Sequence, residues 1–137
     1  MDVVVERHEA LRSTLVRADD DTTLLTVRTQ RSKWPRLEVR AAEDGESARA
    51  AAQAFHDAHD NDPFRYGAPL FRALLVTYPR GGVLYVGANH AVADGLSHQI
   101  LYSDLVAAYN GEPLPPVDRR YLDFLAWHAD RGWARDA

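Results

Sequence analysis

The chain has 137 residues, of which 46% are hydrophobic and 26% are charged, the usual proportions of a globular domain. Its formal net charge is -4 and no block of lysine and arginine occurs, so neither nucleic acid nor an anionic membrane surface is an indicated partner. The absence of cysteine excludes disulfides, thiolate metal sites and a cysteine nucleophile. No long apolar run or leader pattern is present, and we expect a cytoplasmic protein.

The first part of the chain predicts a helix followed by extended segments. Residues 2–11 have the pattern of an amphipathic helix. Residues 13–18 and 22–29 predict an extended pair joined at Asp19-Asp20-Asp21, whose side chains favour a turn. Residues 36–41 alternate apolar and charged side chains, as a strand does.

The remainder predicts two long helices around a strand hairpin. Residues 46–59 form an alanine-rich helix that ends before Pro63. Residues 70–78 and 83–88 are apolar runs joined by a short glycine-containing link, which predicts a hairpin in the middle of a sheet. Helices at 96–109 and 121–133 follow. The predicted packing positions of the three helices are, in chain order, Ala48, Ala51, Ala52, Phe55, Ala58, then Ile100, Leu101, Leu105, Ala108, then Tyr121, Phe124, Trp127 and Trp133.

The segment from Asn89 to Gly95, of sequence N-H-A-V-A-D-G, is the leading candidate for a functional site. It places a titratable group, His90, at the end of an apolar strand and in a loop that leads into a helix, a common way of presenting a base to a substrate. Other roles remain open: His90 as a hydrogen-bonded structural residue, Asp94 as a helix cap and Gly95 as a turn residue.

Four segments in order resemble the condensation domains of nonribosomal peptide synthetases, a family within the chloramphenicol-acetyltransferase-like superfamily. The loop sequence is similar to the family's H-H-x-x-x-D-G, with Asn89 replacing the first histidine, and residues 7–15 are similar to R-H-E-x-L-R-T-x-F. Asp62-Pro63-Phe64 with residues 68–72 resembles D-P-F…G-P-L-x-R. Residues 113–116 and 121–127 resemble the segment that closes the family's first lobe.

The resemblance implies an α/β fold in which helices cover a mixed sheet, with residues 1–137 forming the N-terminal lobe of a two-lobed domain. It implies that His90 is the catalytic histidine, while Gly95 lets the backbone bend sharply and leaves its N–H beside the reacting carbonyl. Asp94 would fix the loop through an arginine, for which Arg12 is the first candidate, with Arg72 or Arg7 behind it. Asn89 would replace a secondary histidine.

The implied reaction joins an acyl or peptidyl thioester, held on the phosphopantetheine arm of a carrier protein, to the amine of a carrier-bound aminoacyl group. Two alternatives stay open: a standalone acyltransferase of the same superfamily that forms an ester, and a truncated lobe that only binds or scaffolds. The resemblance implies no metal and no bound cofactor, and we expect the chain alone to be inactive without a second lobe. His56, Asp57, His59 and Asp60 could suggest a metal cluster, but the pattern lacks the converging ligands of a zinc site.

Overall fold

The computed structural model describes residues 1–60 and 65–131. The helices are α1 (Asp2–Arg7), α2 (Gly45–Asp60), α3 (Gly95–Tyr109) and α4 (Tyr121–Asp130), and the strands are β1 (Ser13–Arg17), β2 (Thr23–Val27), β3 (Leu37–Ala41), β4 (Phe71–Tyr78) and β5 (Gly81–Ala88). Short 3-10 turns lie at Glu9–Arg12 and Arg31–Lys33. Within this part of the chain no helix is both long and apolar enough to cross a membrane.

The strands form two sheets. β1 and β2 make a separate antiparallel hairpin, as the acidic turn predicts, with the backbone of Asp21 at a φ of 66°. The second sheet has the order β3-β4-β5, with β3 parallel and β5 antiparallel to β4. The mixed sheet is therefore confirmed. The prediction that the hairpin lies in the middle of the sheet is wrong for its second strand, because β5 is an edge strand among the described residues.

The first helix is shorter than predicted. It ends at Arg7, and His8 adopts an extended backbone with φ -98° and ψ 100° before the 3-10 turn begins. The helix ends here because the side chains of Arg7 and His8 both bind Asp104 on α3. The Arg7 Nε and the His8 Nε2 each lie 2.7 Å from the same carboxylate oxygen of Asp104. Adjacent residues of a continuous helix point in different directions, so the backbone opens to bring both side chains together.

Each face of the central sheet packs on different helices, because successive residues of β4 point to opposite sides. Leu74 and Val76 contact α2 through Ala48 and Phe55. The opposite face packs against α1 and α3 and contains Phe71, Ala73 and Val86 together with Val4, Val5, Leu11, Leu101 and Leu105. This layering fixes the hairpin, and with it the loop that follows β5.

Some predicted packing positions are exposed. Ala58 lies at the exposed side of α2, and Ile100 on α3 is 56% exposed, whereas Leu101 and Leu105 are buried as predicted. On α4 no residue is buried, and Phe124 and Trp127 stack on each other with ring centroids 6.1 Å apart. Trp133 lies outside the described residues.

An apolar groove runs between α3 and the uncovered part of the sheet, at the end of the hairpin away from the loop. Its volume is about 830 Å³. We call it the apolar groove, and its walls are formed chiefly by Leu37, Leu75, Leu84, Tyr102, Val106 and Tyr109. Several of these side chains are exposed to a degree unusual for such large apolar groups, for example 61% for Val106 and 92% for Tyr109.

Candidate functional site

Backbone hydrogen bonds hold the loop after β5 at both sides of His90. The Asn89 N–H donates to the Leu70 carbonyl over 2.8 Å, which extends the β4–β5 pairing by one step. The Asn89 carbonyl accepts from the N–H groups of Val92 and Ala93, at 3.0 and 3.2 Å. The Asn89 side chain also takes part, because its Oδ1 accepts from the Ala91 N–H over 2.9 Å. Asn89 thus closes a tight turn around His90.

His90 is exposed and lines a cavity of about 610 Å³ bordered by α2, the hairpin and the start of α3. We call this the histidine cavity. Its walls include His56 and His59 from α2, Arg72, Tyr85 and Gly87 from the hairpin, and His98 from α3. Within residues 1–60 and 65–131, the structure gives the His90 imidazole no hydrogen-bond or ion-pair partner. The ring is consequently accessible, as a group that meets a substrate must be.

Asp94 caps α3. It is the N-cap residue, and its Oδ1 accepts from the N–H of Ser97 over 2.8 Å and from the Ser97 hydroxyl over 2.7 Å. These two hydrogen bonds, the hydroxyl bond first, lower the pKa of the Asp94 carboxyl below its ordinary value. The helix-cap role that the sequence left open for Asp94 is therefore the one observed.

The predicted pairing of Asp94 with Arg12 is not formed. Arg12 lies in a different part of the molecule, where its guanidinium is 3.5 Å from the Glu9 carboxylate and donates to the Arg28 carbonyl over 3.2 Å. It also stacks over the Trp34 ring at 5.4 Å. The Nε of Arg12 is buried and has no hydrogen-bond partner among the described residues. Glu9 and Trp34 hold the Arg12 guanidinium away from Asp94. The Asp94 carboxylate is stabilised by its hydrogen bonds with Ser97.

Gly95 is the first residue of α3, and its surroundings differ from the prediction. Its φ lies outside the left-handed region, so no sharp backbone bend requires glycine there. A Cβ at this position would meet no atom within 4 Å. An N–H in the first turn of a helix has no acceptor within the helix. That the Gly95 N–H is available to donate to a reacting carbonyl therefore stays a prediction.

The R-H-E-A-L-R segment binds three later parts of the chain. Arg7 and His8 share the buried carboxylate of Asp104 on α3, and Arg7 also donates to the Pro115 carbonyl in the connector before α4. Glu9 accepts from the N–H of Leu122 in the first turn of α4 over 3.1 Å. Asp104 was not among the residues predicted from the sequence to have a role. The sequence does contain an indication of this role, because Asp104 is an acidic residue in the middle of the apolar pattern of α3. Burying a carboxylate there is unfavourable unless it is paired.

Three further histidines of the histidine cavity have defined partners. His56 Nδ1 lies 3.2 Å from the Tyr85 hydroxyl, and His59 Nδ1 donates to the Phe55 carbonyl over 2.6 Å. His98 Nδ1 lies 2.8 Å from the Asp94 carbonyl. Among the residues that the structure describes, no group of three histidines or carboxylates is placed to hold a metal ion.

The fold and the loop are those of a known protein family. The profile of the condensation-domain family matches residues 1–136, and the chain therefore belongs to the condensation-domain family. The Asp62-Pro63-Phe64 part of the resemblance lies outside the residues that the structure describes. The rest of that segment leads into β4, where Leu70 and Phe71 are buried.

Among curated proteins, the chain is 33% identical over 122 residues to the hybrid PKS-NRPS synthetase thnA of Trichoderma harzianum. That match covers 89% of the chain and 3% of the relative. The identity to tyrocidine synthase 3 of Brevibacillus parabrevis is 30%, covering 93% of the chain and 2% of the relative. The chain thus spans only a small part of the curated relatives that it matches.

The fold is similar to that of the condensation domain in a structure of chain release from the enacyloxin polyketide synthase, with a TM-score of 0.73 and 23% identity. The match covers 98% of this chain and 27% of that one. The SgcC5 protein of Streptomyces globisporus gives a TM-score of 0.66 at 28% identity, covering 98% of this chain and 32% of that one. The chain accordingly has the mixed α/β fold of one lobe of a chloramphenicol-acetyltransferase-like domain.

Proposed function

We propose that this chain supplies the histidine-bearing wall of a site that condenses a carrier-bound acyl or peptidyl thioester with a carrier-bound aminoacyl amine. The observation that carries the proposal is the position of His90. Its imidazole is exposed at the mouth of the histidine cavity, on a loop held by hydrogen bonds on both sides, in a chain of the condensation-domain family. Both thioesters are carried on phosphopantetheine arms of carrier proteins or carrier domains.

In the proposed reaction, the amine nitrogen attacks the thioester carbonyl carbon, a C–N bond forms and the C–S bond breaks. His90 holds the proton that the nucleophile loses, and the departing pantetheine sulfur receives a proton in return. An imidazole suits this exchange, because its neutral ring nitrogen can accept a proton and the protonated ring can return it. A positioned base of this kind contributes about 10²–10⁴-fold to the rate.

The neighbouring residues have supporting roles in this proposal. Asn89 and Asp94 fix the two ends of the loop, Asn89 through the Ala91 N–H and Asp94 through Ser97. Gly95 leaves its N–H and the open space around its α-carbon to the reacting carbonyl, whose oxygen becomes negatively charged during attack. Arg12 contributes to the fold and not to the loop, because it pairs with Glu9, which accepts from the Leu122 N–H at the start of α4.

We further propose that a second lobe, in the same polypeptide or another one, covers the apolar groove and completes the site. The groove exposes Leu84, Val106 and Tyr109 beside the sheet. Contiguous apolar surface of this kind marks a region that another protein surface covers. The two solved structures described above contain about two thirds of their length beyond the match, since the match covers 27% of one and 32% of the other.

An ester-forming acyltransferase uses the same arrangement with a hydroxyl nucleophile in place of the amine. A neutral amine is already a good nucleophile through its lone pair, whereas a hydroxyl becomes one only as its proton is withdrawn, so the hydroxyl reaction depends more strongly on a base at His90. A binding or scaffolding lobe, in contrast, needs no accessible imidazole. The amide-forming reaction is favoured because the curated relatives are peptide synthetases or hybrids that contain them.

The deciding experiment replaces His90 by alanine in the complete synthetase and measures condensation product by mass spectrometry under single-turnover conditions. We expect the product to fall by about 10²-fold or more, because the group that handles the proton is removed. The exposed position of His90 predicts an unchanged fold by circular dichroism. The matched control is His128→Ala, a second exposed histidine, on α4, which does not line the histidine cavity.

A His90→Ala variant that is folded and forms product at a near-normal rate would refute the catalytic role and favour scaffolding. If product is lost in both His90→Ala and His128→Ala, the loss does not come from the cavity. Product that carries an ester in place of an amide would assign the chain to the ester-forming alternative.

A further inference from the structure

His98 has a fixed hydrogen-bonding state. It lies in the first turns of α3, where the carbonyl of Asp94 accepts two hydrogen bonds from it: one from the backbone N–H over 3.1 Å and one from the imidazole Nδ1 over 2.8 Å. A carbonyl oxygen can only accept, so Nδ1 must carry a hydrogen. In a neutral imidazole one ring nitrogen donates and the other accepts. The Nε2 of neutral His98 is therefore a hydrogen-bond acceptor.

The residue that holds the His98 ring is itself held in place by hydrogen bonds. Asp94, whose carbonyl holds the His98 ring, is itself held by its side chain, which accepts from the N–H and hydroxyl of Ser97. The half-buried His98 ring lines the histidine cavity together with His90. The cavity therefore contains a second imidazole whose tautomer and direction are set by a capped helix end.

The acceptor at Nε2 restricts what His98 can bind. A thioester offers only acceptor atoms at its reacting centre, and two acceptors do not pair. A hydroxyl brings only one hydrogen, whereas a neutral primary amine brings two. While His90 takes one of them, a second acceptor on the same cavity can take another and so orient the nitrogen lone pair toward the thioester carbon.

We propose that His98 is a second substrate-contacting residue, whose Nε2 accepts a hydrogen bond from the nucleophile and positions it against His90. This inference rests on the proposed condensation function and adds a residue that selects for a nucleophile with at least two hydrogens. It gives the carrier-bound amine a polar partner on α3, in the wall of the histidine cavity. Asn89, which stands where the family motif has a histidine, is occupied with the Ala91 N–H and leaves this task to His98.

Two substitutions separate the two nitrogens of His98. Asparagine can place its amide N–H near the position of Nδ1 and keep the bond to the Asp94 carbonyl, while it removes Nε2. Glutamine reaches the position of Nε2 with an amide oxygen that accepts, while it loses the Nδ1 bond. A purely structural cap is thus preserved by His98→Asn, and a substrate contact is preserved by His98→Gln.

The measurement uses the complete synthetase, with its own upstream carrier loaded with the acyl group it selects and alanyl-pantetheine as the probe for the acceptor. We expect His98→Asn to lower kcat/KM for the probe by about tenfold, the contribution of roughly one good hydrogen bond, with most of the change in KM. His98→Gln should remain within about threefold of the unaltered enzyme. The dependence on donor-loaded carrier should not change in either variant. The pair His128→Asn and His128→Gln serves as the control.

The opposite pattern, with His98→Asn normal and His98→Gln impaired, would show that His98 only caps α3 and would overturn the inference. Equal rates in both variants, or a change confined to the donor, would overturn it as well. His90→Ala assayed with the same probe tests the proposed function separately, because its failure to reduce product removes that function whatever His98 does. In the 137-residue chain, long-range ¹⁵N correlation spectra should show neutral His98 protonated at Nδ1, and protonation at Nε2 would contradict the geometry.

Discussion

The two ends of the β4–β5 hairpin differ in chemistry. At the end that leads to His90, the polar lining of the histidine cavity consists chiefly of four imidazoles, two arginines and a tyrosine. At the end near the hairpin turn, the apolar groove on the α3 side is lined mainly by leucine, valine and tyrosine. Residues that alternate along the same two strands supply both surfaces.

This separation suggests a division of tasks. Polar groups that converge in a concave site fix the orientation of a small substrate, whereas a broad apolar surface associates with another protein surface. Because the two surfaces share strands but no lining residue, a substitution at one should leave the other intact. α3 contributes to both, through His98 at its start and Val106 toward its end.

The largest effect is expected from Asp104→Ala, which should disturb both ends because Asp104 ties α1 to α3. The carboxylate is buried with Arg7 and His8, and its removal leaves the Arg7 guanidinium without its main partner. We expect the free energy of unfolding to fall by about 3 kcal/mol, at the lower end of the range for a broken buried ion pair. Urea unfolding of the chain followed by circular dichroism measures the loss.

Asp123→Ala is the matched control for Asp104, since Asp123 also pairs with an arginine, Arg120, but at the surface. It should lower the free energy of unfolding by a smaller amount than Asp104→Ala does, because the exposed ion pair contributes little and the main loss is the hydrogen bond that the carboxylate accepts from the Arg120 N–H at the start of α4. If Asp104→Ala unfolds at the same urea concentration as Asp123→Ala, Asp104 does not hold the two helices together.

The next effect separates rate from stability at the His90 end. Gly95→Ala should fold normally, because the added Cβ meets no atom and the backbone has an ordinary φ. In the complete synthetase we expect condensation to slow on the order of 10²-fold, because the methyl group displaces the reacting carbonyl from the helix N–H. Single-turnover product formation and thermal unfolding are to be measured on the same preparation.

Gly111→Ala should give the reverse result, since Gly111 has a φ of 74° and a side chain is strained there. A normal rate in Gly95→Ala would show that the open space at this position is not used by the substrate.

A smaller effect is expected at the apolar groove. The chain should self-associate through this surface, and Val106→Glu should raise the dissociation constant by about tenfold. The reason is that a fully buried valine contributes about 1.5 kcal/mol, and a charge adds a desolvation cost. Sedimentation velocity at several concentrations measures the change, and Gln99→Glu introduces the same charge at an exposed polar position of α3 as the control. If the unaltered chain is a monodisperse, highly stable monomer, the groove does not mediate self-association.

The smallest effect concerns the cap of α3. The pKa of Asp94 is lowered by its hydrogen bonds with Ser97, so the ionised form is favoured in the folded state. Its contribution to stability is therefore present above the ordinary pKa of aspartate and is lost as the pH falls through the lowered value, below about pH 4. Asp94→Asn keeps a side-chain acceptor but does not titrate. The unaltered chain should have the higher thermal midpoint at pH 7, and this difference should shrink as the pH falls below about 4. A difference that stays constant as the pH is lowered would contradict the ionised cap.

Local patterns predicted most of the fold. The period of the apolar residues located α2, α3 and the hairpin to within a few residues, because these elements bury one regular stripe. The same patterns failed where a contact with a distant residue decided the outcome. α1 stops at Arg7 because Asp104 binds both Arg7 and His8, and a sequence pattern does not contain that long-range contact.

The candidate site was predictable in position and less so in contacts. The motif placed His90 on an exposed loop at a strand end, where the structure has it. The pairing of Asp94 with Arg12 was wrong, since a short local cap competes successfully with a distant arginine that Glu9 already holds. Helical spacing alone predicted that Ile100 is buried, but its side chain is exposed. Spacing does not show how wide a part of the helix surface the neighbouring elements cover, because that depends on the tertiary structure.

The polar contacts of the R-H-E segment have a consequence for synthesis of the chain. Arg7, His8 and Glu9 bind residues that lie between 96 and 113 positions further along. During translation, these three residues emerge before their partners, and they lack these contacts until α3, the connector and the start of α4 have left the ribosome. The nascent segment must therefore remain soluble and unattached for most of the time that the ribosome needs to make this lobe.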